Sequence, residues 1–413
     1  MLTGPDLYHA PHGGLDLGEF SYPTDLRQVA VVTLSPLGSG FLLQELCASR
    51  IFMTLRHYLR PTAFVDSPFG HDGKVARLAG GMLWFAAVER VAMEGNRRVS
   101  AELVPVERVE EMLAELGSGA EQAWRNLISP RPPLRLRERV VRLDQPQVAG
   151  ILNVTPDSFS DGGRFDGSEA AAQAGFAMAE AGAAIVDVGG ESTRPGARPV
   201  WEGDEIERVL PAVTRLAAGG TAVSIDTRKS AVMGAALGAG AAMVNDVSAL
   251  TYDGKSAELV AGAGCPIVLM HHRGPPETMQ QAPSYDKPVL FAVYDWLEER
   301  IAAAESAGIG RERIIVDPGI GFGKTVQHNL DLLNGLALLH GLGCPVMVGA
   351  SRKRMIGALS EEAPAGERLA GSLALALKAA DQGAQLLRVH DVPETVQALR
   401  IWRGLRDAAL TPG

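Results

Sequence analysis

From residue 148 onward, polar residues able to do chemistry recur directly after short apolar runs: Asn153, Asp187, Asp226, Asn245 with Asp246, His271 behind Met270, Asp317, the stretch Gly349 to Lys353, and Arg388 with His390. Taken singly, Asp226 or Asn245 could do no more than cap a following helix. Taken together, the positions fall in phase along one rim of a parallel sheet, where such sheets carry their active sites. The first of them opens a polar loop. The run Gly150-Ile151-Leu152-Asn153 breaks into Val154-Thr155-Pro156-Asp157-Ser158-Phe159-Ser160-Asp161-Gly162-Gly163. This reads as a buried strand feeding an acid-bearing loop, although Asp157, Ser158 and Ser160 could merely cap it. Arg352-Lys353-Arg354 is either a solvated charge run or, with Gly349 and Ser351 at a strand end, part of the same site.

The elements that must hold this rim follow from periodicity. Val148 to Val154 is apolar rather than alternating, as expected of a strand covered on both faces. Apolar strands, polar or Gly-rich turns and Ala-rich amphipathic helices then alternate, with strands at 148–154, 184–188, 222–226, 242–246, 266–270, 313–317, 345–349 and 386–390. Eight strands alternating with helices over about 265 residues predict an α/β chain ending in a (β/α)8 TIM barrel. Within it, Val289 to Ala304 sets Val289, Ala292, Val293, Trp296, Leu297 and Ile301 on one core-facing stripe.

Residues 1–130 read as a separate mixed α+β N-terminal domain of unknown function. Val29 to Leu34 suggests a strand, Leu42 to Leu59 a helix, and Glu107 to Leu116 a short helix. Gly81 to Met93 and Arg98 to Val104 suggest a hairpin around Glu94-Gly95-Asn96. His57, His71 and Asp72 stand isolated and read as surface or core residues rather than ligands. Ser129-Pro130-Arg131-Pro132-Pro133 is a stiff break expected to limit coupling. Residues 131–147 then form a linker with an approach strand, Leu134 to Leu143, and 148–413 the barrel.

Composition excludes several classes. Among 413 residues, 46% are hydrophobic and 21% charged, a globular balance that argues against long disorder. A net charge of -9 gives no global field for nucleic acid or an anionic membrane, so any anion site must be built locally. Cys47, Cys265 and Cys344 are scattered without zinc spacing, as expected of reduced thiols in a cytoplasmic protein. The N-terminus has neither a basic nor an apolar signal region, and no uncharged run reaches the ~18 residues of a membrane span.

Several motifs together resemble the dihydropteroate synthase family, the folate-pathway enzymes that sulfonamides inhibit. These are the Asn153 to Gly163 loop, Gly189-Gly190-Glu191-Ser192-Thr193-Arg194-Pro195-Gly196, Asp226-Thr227-Arg228, Asn245-Asp246, Asp317-Pro318-Gly319-Ile320-Gly321-Phe322-Gly323-Lys324-Thr325, Ser351-Arg352-Lys353-Arg354 and Arg388-Val389-His390-Asp391. They span about residues 148–405, and the one departure is His272 after His271, where relatives often carry Met or Asn. The resemblance implies condensation of 6-hydroxymethyl-7,8-dihydropterin diphosphate with 4-aminobenzoate. It implies a pterin site of Asp226, Asn245, Asp317, Lys353, Met270 and Phe322, with Asp317 accepting two adjacent N–H donors. Asn153, Arg388 and His390 would hold the diphosphate, with Mg2+ on Asn153. Thr193, Arg194, Pro195, Phe159 and Ser351 would face 4-aminobenzoate. Catalytic roles would fall to Asp161, Asn153 and Lys353, the Asp161 charge stabilising a cationic pterin methylene.

The resemblance also implies small-molecule substrates, a homodimer, and no nucleic-acid or membrane partner. Some relatives fuse a neighbouring aldolase or pyrophosphokinase, but residues 1–130 lack the D-x-D pair that a pyrophosphokinase needs for magnesium. Two alternatives stand beside this reading. A pterin-binding methyltransferase acting on a corrinoid would share the aspartates and asparagine without needing Ser351-Arg352-Lys353 or Arg388 with His390. A non-catalytic pterin binder would not need the two intact loops.

Overall fold

The computed structural model describes residues 55–155, 164–192, 199–275 and 278–411. Val29 to Leu34 lies outside them. The first described element is β1 (Leu55–Val65), which corrects the helix read over Leu42 to Leu59, whose earlier part lies outside the described residues. Two physical reasons explain the difference. Pro61 has no N–H to give a helix, and the stretch finds a long antiparallel partner that local pattern cannot reveal. β1 lies at a sheet edge, where a proline is tolerated.

That partner follows β2 (Ala76–Arg77). It is β3 (Trp84–Glu94), which turns at Gly95-Asn96 into β4 (Arg97–Pro105), the hairpin expected from sequence. Two helices, α1 (Val109–Leu116) and α2 (Ser118–Ile128), complete this layer, with α1 where a short helix was expected. The layer shares one continuous hydrophobic cluster with the barrel helices. Tyr58 on β1 stacks 4.6 Å from Phe291, and its hydroxyl donates to Asp295 at 2.8 Å.

The expected approach strand is a short hairpin, β5 (Leu134–Leu136) and β6 (Arg139–Val141). Leu134, Leu136, Val141 and Leu143 pack on Ala149, Ile185, Met243, Ile315 and Leu386 at the starts of the barrel strands, so the hairpin plugs the bottom of the barrel. Arg137 and Arg139 on the same hairpin donate to the carbonyls of Leu237 and Gly220 near helix C-termini, where cations are favoured.

The barrel strands are β7 (Gln147–Asn153), β8 (Ile185–Gly189), β9 (Val223–Asp226), β10 (Met243–Asp246), β11 (Ile267–Met270), β12 (Ile314–Asp317), β13 (Met347–Val348) and β14 (Leu386–Val389). Between them run α3 (Arg164–Ala181), α4 (Glu202–Ala218), α5 (Ser230–Ala239), α6 (Ser256–Ala263), α7 (Val289–Ser306), α8 (Val326–Gly335), α9 (Arg354–Leu359) and α10 (Leu369–Ala380), with α11 (Val392–Ala409) last. All neighbouring strands are parallel, in the order β12-β11-β10-β9-β8-β7-β14-β13, and a bridge between Val316 and Val346 closes the ring. This is the expected TIM barrel. On α7, Val289, Val293, Leu297 and Ile301 are buried as the stripe required.

Between the two layers, the proline-rich segment is packed rather than free. The guanidinium of Arg131 is buried and donates to the carbonyls of Cys344 (3.3 Å), Ser129 (3.0 Å), Asn126 (2.9 Å) and His340 (2.8 Å). Burial pulls its pKa down to about 10. Arg131→Met should therefore cost about 1–3 kcal/mol for each carbonyl left unpaired in the interior. Thermal melts should show a drop of several degrees, and an unchanged midpoint would mean that water replaces the guanidinium without cost.

Candidate active site

Closure of the barrel turns a list of strand ends into a layer. Taking every second strand around the ring gives Arg388 on β14, Asp187 on β8, Asn245 on β10 and Asp317 on β12. Side chains from alternate strands share a level inside such barrels. Here that level is polar and joined. Arg388 Nε donates to Asp187 Oδ2 at 2.6 Å, Arg388 Nη2 to Asp226 Oδ2 at 2.6 Å, and Asn245 Nδ2 to Asp187 Oδ2 at 2.9 Å. Above it opens a pocket of about 340 Å³ lined by Asp226, Asn245, Val247, Met270, Asp317, Ile320, Phe322, Met347, Gly349, Lys353 and Arg388.

The electrostatics are those of carboxylates short of counter-charge. Burial pushes Asp226 up to about 7 against the pull of Arg388, with Asp187 adding to the rise. Burial likewise pushes Asp317 up to about 6, resisted by the Gly319 N–H and the charges of Lys353 and Arg388. The arginine itself is raised, because its two carboxylates outweigh its burial. Asp226 Oδ1 is buried without a hydrogen-bond partner among the described residues.

Local backbone geometry sets the remaining walls. The turn after β12 requires glycine at 319, where φ is +66° and a Cβ would sit 1.8 Å from the His271 carbonyl. This tight turn lets the Gly319 N–H reach Asp317 Oδ1 at 2.7 Å and carries Phe322 over the pocket. The Lys353 ammonium lies 4.0 Å from the Phe322 ring centroid, a cation–π contact. Beside Lys353, Arg352 is held at φ +56°, a left-handed conformation unusual for a side-chain-bearing residue. Its N–H donates to Ser372 Oγ, its carbonyl accepts from Arg368, and its guanidinium pairs with Asp391.

The structure sorts the sequence-derived residues. All six residues of the expected pterin set line this pocket, and Arg388, which the sequence reading grouped with the diphosphate, lines it too. Helix capping does not explain Asp226 or Asn245, whose side chains face Arg388 and Asp187. Asp246 turns away to accept from Ser248 and Leu250. Asn153 ends β7, and its Oδ1 approaches the space over Gly189 that Asp226 Oδ2 also borders. Ser351 and His390 pair at 3.0 Å beside the pocket without lining it. Phe159, Asp161, Thr193, Arg194 and Pro195 lie outside the described residues.

Other residues acquire a place that sequence reasoning did not assign. Lys324 is buried beneath the pocket floor, donating to the Phe322 carbonyl at 3.0 Å and lying 2.8 Å from His271 Nδ1. Burial drives both groups well below their ordinary pKa values. Glu191, Arg228, Lys229 and Glu205 form a buried ion-pair network that also takes Val200 N–H and the Val200 carbonyl. Lys324 and Glu191 stand inside the quoted motifs, so that position was the available signal. Arg228, Phe322 and His271 stand in the quoted stretches too, but nothing local says that they meet Glu191 and Lys324.

A family model described as pterin binding enzyme matches residues 149–390. Dihydropteroate synthase of Escherichia coli (strain K12) is 48% identical over 260 residues, covering 63% of this chain and 91% of that protein. The chain belongs to the dihydropteroate synthase family of pterin-binding enzymes. Among solved family structures, Xanthomonas albilineans dihydropteroate synthase with 4-aminobenzoic acid matches with a TM-score of 0.63 at 48% identity, over 67% of this chain and 98% of that one. The same enzyme in complex with 7,8-dihydropteroate matches with a TM-score of 0.61 at 46% identity, over 67% and 99%. The family match therefore falls on the barrel.

Burying these carboxylates costs stability. Asp317 has a folded pKa of about 6 against an ordinary 3.8, so between those values the folded chain keeps a proton that the unfolded chain has lost. Stability must fall as pH rises through that window, and the full cost stands above it. Asp317→Asn should thus stabilise the ligand-free protein at pH 8 by on the order of 1–3 kcal/mol, seen as a higher melting temperature. The gain should fade towards pH 4. A gain that persists there would point to a cause other than charge burial.

Proposed function

We infer that this chain is a dihydropteroate synthase, joining 6-hydroxymethyl-7,8-dihydropterin diphosphate to 4-aminobenzoate to give 7,8-dihydropteroate and diphosphate. One observation carries the reading: buried Asp226, Asn245 and Asp317 line one pocket with Lys353 and Arg388, beside the apolar Met270, Ile320 and Phe322. A flat heterocycle with several N–H donors and one carbonyl fits that distribution. Asp317 accepts two adjacent donors from the amino-pyrimidinone edge, with the Gly319 N–H already holding one oxygen in place. Asp226 Oδ1 and Asn245 accept from the remaining ring donors, and Lys353 donates to the carbonyl side.

The reaction breaks the C–O bond from the pterin methylene to diphosphate and forms a C–N bond from the 4-aminobenzoate amine, which then loses a proton. As the diphosphate leaves, Arg388, His390 and Asn153 hold it, while Asp161 stabilises the positive charge left on the methylene. Asn153 and Lys353 share the catalytic work with Asp161. Thr193, Arg194, Pro195, Phe159 and Ser351 receive 4-aminobenzoate. Among the described residues, no group of three or more His, Cys, Asp or Glu could hold a metal. The neutral Asn153 oxygen near Asp226 instead fits a Mg2+ ligated mainly by diphosphate oxygens and water. Bound there, Mg2+ supplies charge neutralisation at the leaving group. The proposal extends to a cytoplasmic homodimer, supported by the family resemblance.

Diphosphate release that depends on both the pterin diphosphate and 4-aminobenzoate tests the activity, and release indifferent to 4-aminobenzoate would overturn it. The pairing of Arg388 with Asp187 and Asp226 adds a sharper expectation. Arg388→Ala should weaken binding of 6-hydroxymethylpterin, which carries no diphosphate, by roughly tenfold or more, because it leaves two buried carboxylates uncompensated. Calorimetry would show it. A loss confined to the diphosphate ester would mean that Arg388 serves the anion alone.

A further inference from the structure

Three members of the polar layer, Arg388, Asn245 and Asp317, line the pocket; the fourth, Asp187, does not. Its side chain is only 2% exposed and stands behind the wall. On β8 it sits two strands from β14 on one side and two strands from β10 on the other. Both pocket residues on those strands reach it, and both reach the same atom. Oδ2 accepts from Arg388 Nε at 2.6 Å and from Asn245 Nδ2 at 2.9 Å.

We propose that Asp187 is a positioning residue for pterin recognition: it commits Asn245 to present its carbonyl oxygen to the ligand and holds the Arg388 guanidinium against Asp226. The inference rests on the pterin reading above and goes further than it. A carboxamide can lie either way round, and its two ends differ only in which is donor and which acceptor. With a carboxylate behind it, the reversed amide would press oxygen against oxygen in an interior of low dielectric, so one orientation remains. The pocket then offers acceptors from Asn245, Asp226 and Asp317 along one side, a polarity suited to a ring edge of N–H donors. Asp187 also stops Arg388 from following Asp226 alone. Because the guanidinium spans both carboxylates, it stays fixed across the ring between β14 and β9.

The test is calorimetry of 6-hydroxymethylpterin on the full-length protein, the Asp187→Leu variant and the Asp187→Asn variant, across about pH 5.5 to 8.5, with steady-state kinetics on each. Asp187→Leu removes the shared acceptor, and pterin affinity should fall by roughly tenfold or more. KM for the pterin diphosphate should rise while KM for 4-aminobenzoate stays put. Asp187→Asn keeps an oxygen where Oδ2 stands and should recover most of that affinity. It should also move the pH midpoint of pterin binding lower. Asp226 is faced by Asp187, Glu205 and Asp246 as anions and by Arg388 as cation, and the variant removes one of those anions.

Pterin affinity unchanged in Asp187→Leu would overturn the inference. So would an Asp187→Asn variant as weak as the leucine variant with an unmoved midpoint, since the side chain would then only fill space. If the leucine variant does not fold, Asp187→Ala removes the same acceptor without added bulk, and pterin affinity unchanged there would overturn the inference. Wild-type protein that fails to bind the pterin would instead overturn the pterin reading on which this inference stands.

Discussion

One guanidinium allows this barrel to keep carboxylates in its interior. Moving an isolated carboxylate out of water costs several kcal/mol, and the cost is recovered only through close pairing and further hydrogen bonds. Arg388 pairs with both Asp187 and Asp226 at 2.6 Å, so a single positive charge answers two negative ones. Burial is the main reason that Asp226 retains its proton to about pH 7 despite the arginine, and the neighbouring Asp187 adds to it. The pocket's surplus of acceptors, including the partnerless Asp226 Oδ1, is relieved by a ligand that brings N–H donors. Recognition and destabilisation are two consequences of the same buried charge.

A strained upper rim needs a firm base, and the base is apolar. Below the polar layer the barrel interior is filled by Ala149, Ile185, Met243, Val268, Ile315 and Leu386, closed off by Leu134, Leu136, Val141 and Leu143 of the β5–β6 hairpin. The residues leading into that hairpin are themselves fastened, since Arg131 ties the end of α2 to the carbonyls of His340 and Cys344. Tilted and edge-on aromatic contacts between β1 and α7 continue the packing outward.

The parts legible in the sequence were those set by local rules. Strand positions were read to within a residue or two, apart from the shorter β13, because a helix-covered parallel strand is an unbroken apolar run bounded by turn formers. The polar residue ending each run marked the rim. What local rules cannot say is which rim residues meet. Arg388 reads naturally as an anion site until closure of the ring brings it beside Asp187 and Asp226, since that meeting depends on the stagger between strands. Asp246 and His271 show the converse. Both end strands as the pattern demands, yet one closes its own turn and the other binds buried Lys324. β1 was misread because its strand character comes from β3, some thirty residues away in the chain. Phe159, Asp161, Thr193, Arg194 and Pro195 were legible as motif residues alone.

The placement of the additional N-terminal residues follows from the polarity of the fold. In a parallel barrel every strand delivers its C-terminal end to one face, so chemistry gathers there and the opposite face is left to stability. The described pocket residues other than Met347 obey this, coming from the end of a strand or the turn after it. The β5–β6 hairpin packs at the opposite end, and the layer of β1, β3 and α2 packs on α7 and the residues 336–342 that follow α8. Family structures account for 67% of this chain while being almost wholly covered themselves. The described part of the remaining third leaves the pocket undisturbed because its hairpin builds on the face where a TIM barrel has no chemistry to lose and its β1 layer on the outside of the helices.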